Sequence, residues 1–193
     1  KAVLPARGGY GVTRMLDRLD YELIRANPKL LIGFSDLTAL HRAIQIRAGL
    51  VTYHGPNLQD GLGTPDGLSG LAEKFYLSVL FGKANETLVL NQSELEASNY
   101  APLTVHRSGQ ATGQLVGGNL AVLTSLLGTP YLRGFDNNIL LLEDVGEQPY
   151  RIDRYLCQLR SSGLLAGVTG VLLGQFNDCE PDTGKPSLSL DQV

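Results

Sequence analysis

The stretch at residues 29–43, KLLIGFSDLTALHRA, joins an apolar run directly to a helical pattern. The run at 30–34 is uniformly apolar, which is typical of a strand buried on both faces of a parallel sheet. Leu37, Leu40 and Ile44 then recur with the spacing of one helix face. Ser35 is therefore predicted at the carboxyl end of a strand and at the entrance to a helix, where α/β sheets bind their ligands.

Two interpretations of Ser35 follow from this position. The sequence GFSDL at 33–37 matches the nucleophile elbow G-x-S-x-G in part, because Leu37 replaces the second glycine. In such an elbow the hydroxyl is exposed, and helix N–H groups such as that of Asp36 point toward a developing oxyanion. Ser and Asp are also common helix N-caps. The motif by itself leaves both interpretations open.

Apolar runs and amphipathic segments alternate along the rest of the chain, which predicts an α/β protein. We predict two small domains, a nucleophile-bearing parallel sheet with flanking helices at 1–81 and a smaller α/β domain at 102–193. The polar, weakly periodic segment 82–101 is interpreted as a linker with one short strand at most. We also expect one helix after the glycine-rich turn near residue 11, and two short strands around a turn within 102–118.

Bulk composition narrows the function classes. The 193 residues carry a net charge of −3 and no Lys/Arg block, so a nucleic-acid partner is not expected. Cys157 and Cys179 lie far apart with no CxxC or Cys/His cluster, which favours a reducing cytoplasm over a disulfide framework. No apolar run approaches the ~18 residues of a membrane helix, so no membrane partner is expected.

Two glycine-rich turns are candidate ligand contacts. Gly8, Gly9 and Tyr10 belong to the sequence RGGYG at 7–11, which follows a strand and could present backbone N–H groups to a phosphate or a carboxylate. A plain tight turn explains it equally well. Gly117, Gly118 and Asn119 follow another apolar run; they are candidates for ligand contact or for close packing, and packing is slightly favoured.

Acids and histidines supply the remaining candidates. Glu143 and Asp144 end a strand, where an acid can orient a catalytic histidine or simply cap the next turn, and Glu147 is a nearby competitor. The three histidines, at 41, 54 and 106, include no convincing base for Ser35. Their spacing matches no metal motif, so neither a metal nor an organic cofactor is expected.

Four motifs in this order together resemble the LD-carboxypeptidase family of serine peptidases. They are the RGGYG-to-FSDLTALHRA stretch, VTYHGP, GQLVGGNLAVLTSLLGTPY and ILLLEDVGEQPYRIDRYLCQLRSSG. The resemblance covers nearly the whole chain. The family includes the enzymes that trim murein tetrapeptides and the microcin-immunity peptidases. It implies two α/β domains, the first similar to class I glutamine amidotransferases.

The resemblance also implies roles for particular residues. Ser35 is the expected nucleophile and Glu143 the expected acid. The oxyanion hole is expected from the N–H of Asp36 and that of Gly8 or Gly9. Release of a terminal D-alanine from a muropeptide without a cofactor is the implied activity, and a homodimer in the cytoplasm is the implied setting.

One expected group is missing from the 193 residues. The family's catalytic histidine belongs to a glycine-rich motif beyond Val193, and its opening strand and helix precede Lys1, so we expect a fragment that is inactive alone. Two alternatives stay open. One is a microcin-immunity peptidase that cleaves a peptidyl-nucleotide, and the other is a non-catalytic binding module of the same fold in which Ser35 is a helix cap.

Overall fold

The computed structural model describes residues 1–68, 70–82, 92–97, 102–182, 184 and 186–193. The strands of this part of the chain are β1 (Ala2–Val3), β2 (Leu30–Gly33), β3 (Tyr53–His54), β4 (Gln114–Asn119), β5 (Asn138–Val145) and β6 (Gly170–Asn177). They form two parallel three-stranded sheets, with β2 at the centre of the first and β5 at the centre of the second. The α/β class predicted from the sequence is confirmed.

Helices connect and cover these strands. They are α1 (Tyr21–Ala26), α2 (Leu37–Arg47), α3 (Gly70–Leu80), α4 (Gln92–Ala97), α5 (Leu120–Ser125) and α6 (Pro149–Ser161). Parallel neighbours need a crossover connection, and α5 and α6 supply it for the second sheet. Among these helices, none has both the length and the apolar character needed to cross a membrane.

The second sheet has the larger core. Leu120 and Leu123 of α5, Leu140 of β5, and Ile152 and Leu159 of α6 are all buried in one cluster. The ends of α6 form as its sequence predicts, because proline occupies its first turn and a glycine with a positive φ of 79° follows its last turn.

The segment after the glycine loop is not the single helix that the sequence predicts. Two 3₁₀ turns, Val12–Arg14 and Leu16–Arg18, precede the short helix α1. The break falls at Asp20, whose carboxylate accepts a hydrogen bond of 2.9 Å from the Leu23 N–H and so begins a new helix. A side-chain cap of this kind competes with helix continuation, which apolar spacing alone does not reveal.

Two other expectations are changed or left open. Of the two strands expected within 102–118, only β4 forms, because residues 102–113 are exposed and have no strand beside them in the described structure. Of the expected linker, 83–91 and 98–101 lie outside the described residues. Its described part contains helix α4. The domain boundaries stay a prediction.

A shared core cluster joins the two sheets. Leu16, Tyr21, Ala39 and Ala43 come from the first half of the chain, and Leu126 follows α5 of the second. Leu126 is 2% exposed. The cluster packs α2 against α5, so the carboxyl ends of β2 and β4 are held on the same side of this contact.

Truncation of Leu126 should destabilise the protein. We expect Leu126→Ala to lower the free energy of unfolding by about 2–5 kcal/mol, the usual result of removing a buried leucine side chain. Urea unfolding followed by circular dichroism measures it. The control is Leu115→Ala, which removes the same atoms from a residue that is 54% exposed. Equal losses for the two variants would contradict the shared core.

Candidate active site

Ser35 occupies a strained turn between β2 and α2. Its φ is 63°, in the left-handed region that a serine rarely adopts and that costs about 1–3 kcal/mol. The helix N-cap is Asp36, which follows it and makes no side-chain capping bond. Ser35 is therefore not the cap of α2. A positive φ immediately after a parallel strand is instead the geometry that exposes a nucleophile at an elbow.

Asp36 ties the elbow to the glycine loop. Its side chain is buried, and Oδ2 accepts a hydrogen bond of 2.9 Å from the N–H of Val12. The loop is thereby fixed beside Ser35. The role expected for the backbone N–H of Asp36, as an oxyanion donor, stays a prediction.

Gly8 lies directly against the serine. A β-carbon on Gly8 would be 3.0 Å from Cβ and 3.1 Å from Oγ of Ser35, so this position accepts only glycine without a shift. Gly9 has a φ of 151° and open space around its α-carbon. The loop, Asp36 and Leu37 line a cavity of about 540 Å³.

Two arginines give this cavity a positive wall. Arg7 and Arg14 both line it, and the Arg14 guanidinium lies 5.8 Å from the centre of the Tyr10 ring. Tyr10 is 87% exposed. Asp36 lines the same cavity, but its Oδ2 accepts the hydrogen bond from Val12, so the two guanidinium groups can face a small anionic group such as a peptide carboxylate.

Asn57 supports the elbow from below and was missed at the sequence level. It is fully buried, and its Oδ1 accepts a 3.4 Å hydrogen bond from the N–H of Phe34. Its Nδ2 lies near Gly8 and has no hydrogen-bond partner in the described residues. In the sequence, Asn57 is a single asparagine shortly after the apolar run at 51–53 and looks like an ordinary turn residue, so nothing there indicates its role.

The two adjacent acids of β5 have separate roles. Asp144 is 2% exposed and accepts hydrogen bonds of 2.9 Å from Asn119 Nδ2 and from the backbone N–H groups of Ala121 and Val145. It thus binds the start of α5, which precedes β5 in the chain, and not the next turn that the capping alternative named. Glu147 lies 3.5 Å from Arg151 in a surface ion pair.

Glu143 has different surroundings, and its role as the catalytic acid stays a prediction. It pairs in register with Asn119 of β4, and its Oε1 is buried with no hydrogen-bond partner in the described structure. Its nearest ionisable neighbour across the sheets is His54, whose Nε2 lies 3.8 Å from Oε1. Burial, followed by the nearby charge of Asp144, raises the pKa of Glu143 to about 7.

The histidines differ in burial. His41 is buried, and its Nε2 lies 2.8 Å from the carbonyl oxygen of Gly33, so it packs back on β2 and not on the surface. Burial, with a smaller contribution from His41, lowers the pKa of His54 to about 4. His106 is exposed. The expectation that none of these three serves as the base for Ser35 stays a prediction.

Gly117, Gly118 and Asn119 are the last three residues of β4 and not the turn that the sequence predicts, and they bring this strand into close contact with α2. The N–H of Asn119 donates a 3.0 Å hydrogen bond to Thr38 Oγ1 of α2. A β-carbon on Gly118 would be 2.6 Å from the same oxygen, and one on Gly117 would overlap the carbonyl of Leu141. Close packing therefore accounts for both glycines. Their expected contact with substrate, and that of Asn119, stays a prediction.

A second, larger cavity of about 950 Å³ lies between the two sheets. His41, Arg42, Tyr53 and His54 line one side, and β4 lines the other. Within the described residues, no group of histidine, cysteine and acidic side chains could hold a metal ion.

The structure thus combines two parallel sheets, a strained serine at the end of a strand in the first sheet, and a buried acid at the carboxyl end of a strand in the second. Solved carboxypeptidase structures share this fold. A muramoyltetrapeptide carboxypeptidase from Oxalobacter formigenes superposes with a TM-score of 0.78 at 28% identity, over 100% of this chain and 62% of that chain.

The chain belongs to the LD-carboxypeptidase family. The family model of the LD-carboxypeptidase N-terminal domain matches residues 1–55, and that of the C-terminal domain matches 112–193. A probable murein peptide carboxypeptidase of Bacillus subtilis is 43% identical over 193 residues, which are 100% of this chain and 57% of the relative. The microcin C7 self-immunity protein MccF of Escherichia coli is 29% identical over 213 residues, covering 99% of this chain and 61% of the relative. The chain thus spans little more than half the length of such relatives.

The contact between Gly8 and Ser35 generates a prediction about reactivity. We expect Gly8→Ala to slow fluorophosphonate labelling of Ser35 by about 10-fold to 100-fold, since a misplacement of about 1 Å can cost about 100-fold. Intact mass against time in the full-length gene product measures it. The control is Gly109→Ala, where a β-carbon enters open space. An unchanged labelling rate in Gly8→Ala would exclude this contact from the reactive geometry.

The raised pKa of Glu143 predicts a pH-dependent stability. A carboxyl group that holds its proton more tightly in the folded state stabilises the fold at low pH, and this contribution is lost as pH rises from 4.5 through about 7. Glu143→Gln is neutral throughout, so its free energy of unfolding should rise relative to wild type across that range. Urea unfolding at several pH values measures the difference.

The matched control for that titration is Glu73→Gln, which removes an exposed carboxylate from α3. The difference from wild type should change with pH by more for Glu143→Gln than for Glu73→Gln. Equal changes for the two variants would mean that Glu143 is not destabilised as a carboxylate in the folded protein.

Proposed function

We propose that the protein is a serine-type LD-carboxypeptidase that releases the terminal D-alanine of a murein tetrapeptide. The observation that carries the proposal is the left-handed backbone of Ser35, set against Gly8 at the edge of a cavity with a positive wall. Family membership supports the same chemistry. A strained serine that does not cap its helix contributes nothing to the fold that explains its strain. A role as nucleophile does explain it, because the strained turn exposes the hydroxyl.

The proposed first step is acylation of the serine. A histidine from outside the 193 residues removes the proton of the Ser35 hydroxyl, and the oxygen attacks the carbonyl carbon of the residue before the terminal D-alanine. Glu143 accepts a hydrogen bond from the other ring nitrogen of that histidine and holds it in the required tautomer.

The tetrahedral intermediate then collapses. The N–H groups of Asp36 and of Gly8 or Gly9 stabilise its oxyanion, an effect of about 10²–10³ in rate for each donor. The histidine returns its proton to the leaving nitrogen, and free D-alanine departs. Water, deprotonated by the same histidine, hydrolyses the acyl-enzyme and regenerates the Ser35 hydroxyl. None of these steps requires a metal or an organic cofactor.

Recognition of the substrate end is assigned to the loop cavity. Arg7 and Arg14 would neutralise the carboxylate of the terminal D-residue. Such a contact explains how an enzyme of this kind would act on the last residue of a peptide and not within it. Gly117, Gly118 and Asn119 complete the proposed substrate site from the second sheet.

A second candidate is a peptidase of the microcin-immunity type, which would cleave a peptidyl-nucleotide. The likeness to MccF and the exposed ring of Tyr10 at the cavity favour it, since an aromatic face can stack on a base. In a non-catalytic binding module, the third possibility, the Ser35 hydroxyl would have no reactivity. We further propose that the protein works in the cytoplasm as a homodimer, as the family resemblance implies; Cys157 and Cys179, both free thiols, are consistent with a reducing compartment.

Replacement of the serine tests the proposal. We expect Ser35→Ala in the full-length gene product to lower kcat by about 10⁴-fold or more, because the reaction loses its nucleophile. Release of D-alanine from a murein tetrapeptide, coupled to D-amino acid oxidase, measures the activity. Ser125→Ala, which removes an exposed hydroxyl from the end of α5, is the matched control.

Three outcomes separate the candidates. More than a tenth of wild-type activity in Ser35→Ala would exclude the nucleophile assignment. Cleavage of a peptidyl-nucleotide but not of the tetrapeptide, lost in Ser35→Ala, would favour the immunity-type peptidase. Binding of either compound without fluorophosphonate labelling of Ser35 would favour the binding module.

A further inference from the structure

His54 lies between the two candidate catalytic residues, although neither the nucleophile nor the acid assignment uses it. On one side, it pairs in register with Gly33 of β2, two residues before Ser35. Its ring also meets the Phe34 ring edge to face, with centroids 6.4 Å apart and planes at 70°. Phe34 is the residue that leads into the strained serine. His54 therefore packs against the base of the elbow.

On its other side, the imidazole faces the second sheet. Nε2 lies 3.8 Å from Oε1 of Glu143, and Nδ1 lies beside Gly118. The side chain of His54 is 26% exposed and that of Glu143 is 13% exposed. Three elements meet at this ring, because β3 supplies the histidine, β5 the acid and β4 the glycine. The backbone approach at Gly118 leaves the ring little freedom to turn.

Oε1 of Glu143 needs a donor that the rest of the described structure does not supply. It is buried and has no hydrogen-bond partner there, which is costly for a carboxylate. At 3.8 Å the His54 nitrogen is too far for a hydrogen bond, and also too close for a water molecule to stand between the two atoms. A shift of about 1 Å would bring the pair to hydrogen-bond distance.

We propose that His54 is a positioning residue for Glu143: as a neutral imidazole it offers its Nε2–H to Oε1 and fixes the carboxylate relative to the Ser35 elbow. This inference rests on the proposed serine-peptidase function and adds a residue to it. Because the same ring also contacts Phe34 and Gly33 of the first sheet, it fixes the position of Glu143 in the second sheet relative to the first.

The orientation of the ring argues against His54 as the base itself. A base for Ser35 must present one ring nitrogen to the acid and the other to the serine hydroxyl. Here the second nitrogen faces the backbone of Gly118. Burial also lowers the pKa of His54 to about 4, which makes its imidazole a weak base.

The test compares His54→Ala and His54→Gln in the full-length gene product. We expect His54→Ala to lower kcat for tetrapeptide cleavage by about 10-fold to 100-fold with little change in KM, as is usual when an orienting partner is lost. The acid limb of the kcat/KM profile should move to higher pH, because the ionised carboxylate loses a donor; His41 and Asp144 face the same pair and remain in place. His54→Gln places an amide N–H near the lost Nε2 and should restore most of both effects.

His106→Ala, at an exposed histidine, is the matched control and should match wild type. Wild-type kcat and pH profile in His54→Ala would overturn the inference. So would a loss as large as that of Ser35→Ala, which would make His54 the base. Equal losses in His54→Ala and His54→Gln without a shift of the acid limb would show a purely structural role. If Ser35→Ala stays active, the proposed function itself fails, whatever the His54 variants show.

Discussion

A hydrogen bond between β4 and α2, from the N–H of Asn119 to the hydroxyl of Thr38, organises the candidate site. It forms only because Gly118 has no side chain at the contact. The bond holds the first turn of α2, and with it Ser35, against the carboxyl end of β4. Since β4 pairs with β5 in register, the position of Glu143 relative to the serine follows from this one approach.

The separation of roles between Glu143 and Asp144 follows from strand geometry. Successive side chains on a strand point to opposite faces, so neighbours in sequence meet different surroundings. Asp144 points toward three N–H donors around the start of α5 and is fully used there. Glu143 points toward β3, where burial, followed by the nearby charge of Asp144, raises its pKa. Asp144 stabilises the fold, and Glu143 is the acid to which we assign the proposed chemistry.

The sequence predicts those parts of this structure that depend on local order. The sequence predicts the strand-to-helix connection at Ser35 and the ends of α6, because apolar periodicity, proline and glycine act within a few residues. The break in the helical segment before β2 is not predicted from the sequence. Asp20 causes it by capping α1, and apolar periodicity does not reveal such a cap. The sequence does not predict Asn57 as a site residue, and it places His54 only along a cleft at the sheet edge. The contacts of these two residues with Phe34, Gly8 and Glu143 form only in the folded chain.

The left-handed backbone of Ser35 has a consequence for the history of this fold. A glycine at that position would relieve the strain and make the protein more stable, yet it would remove the hydroxyl. Selection for stability alone would therefore tend to replace the serine. Under the proposed function, selection for the hydroxyl opposes stability at this single residue, and lineages released from that selection should lose this serine before they lose the surrounding core.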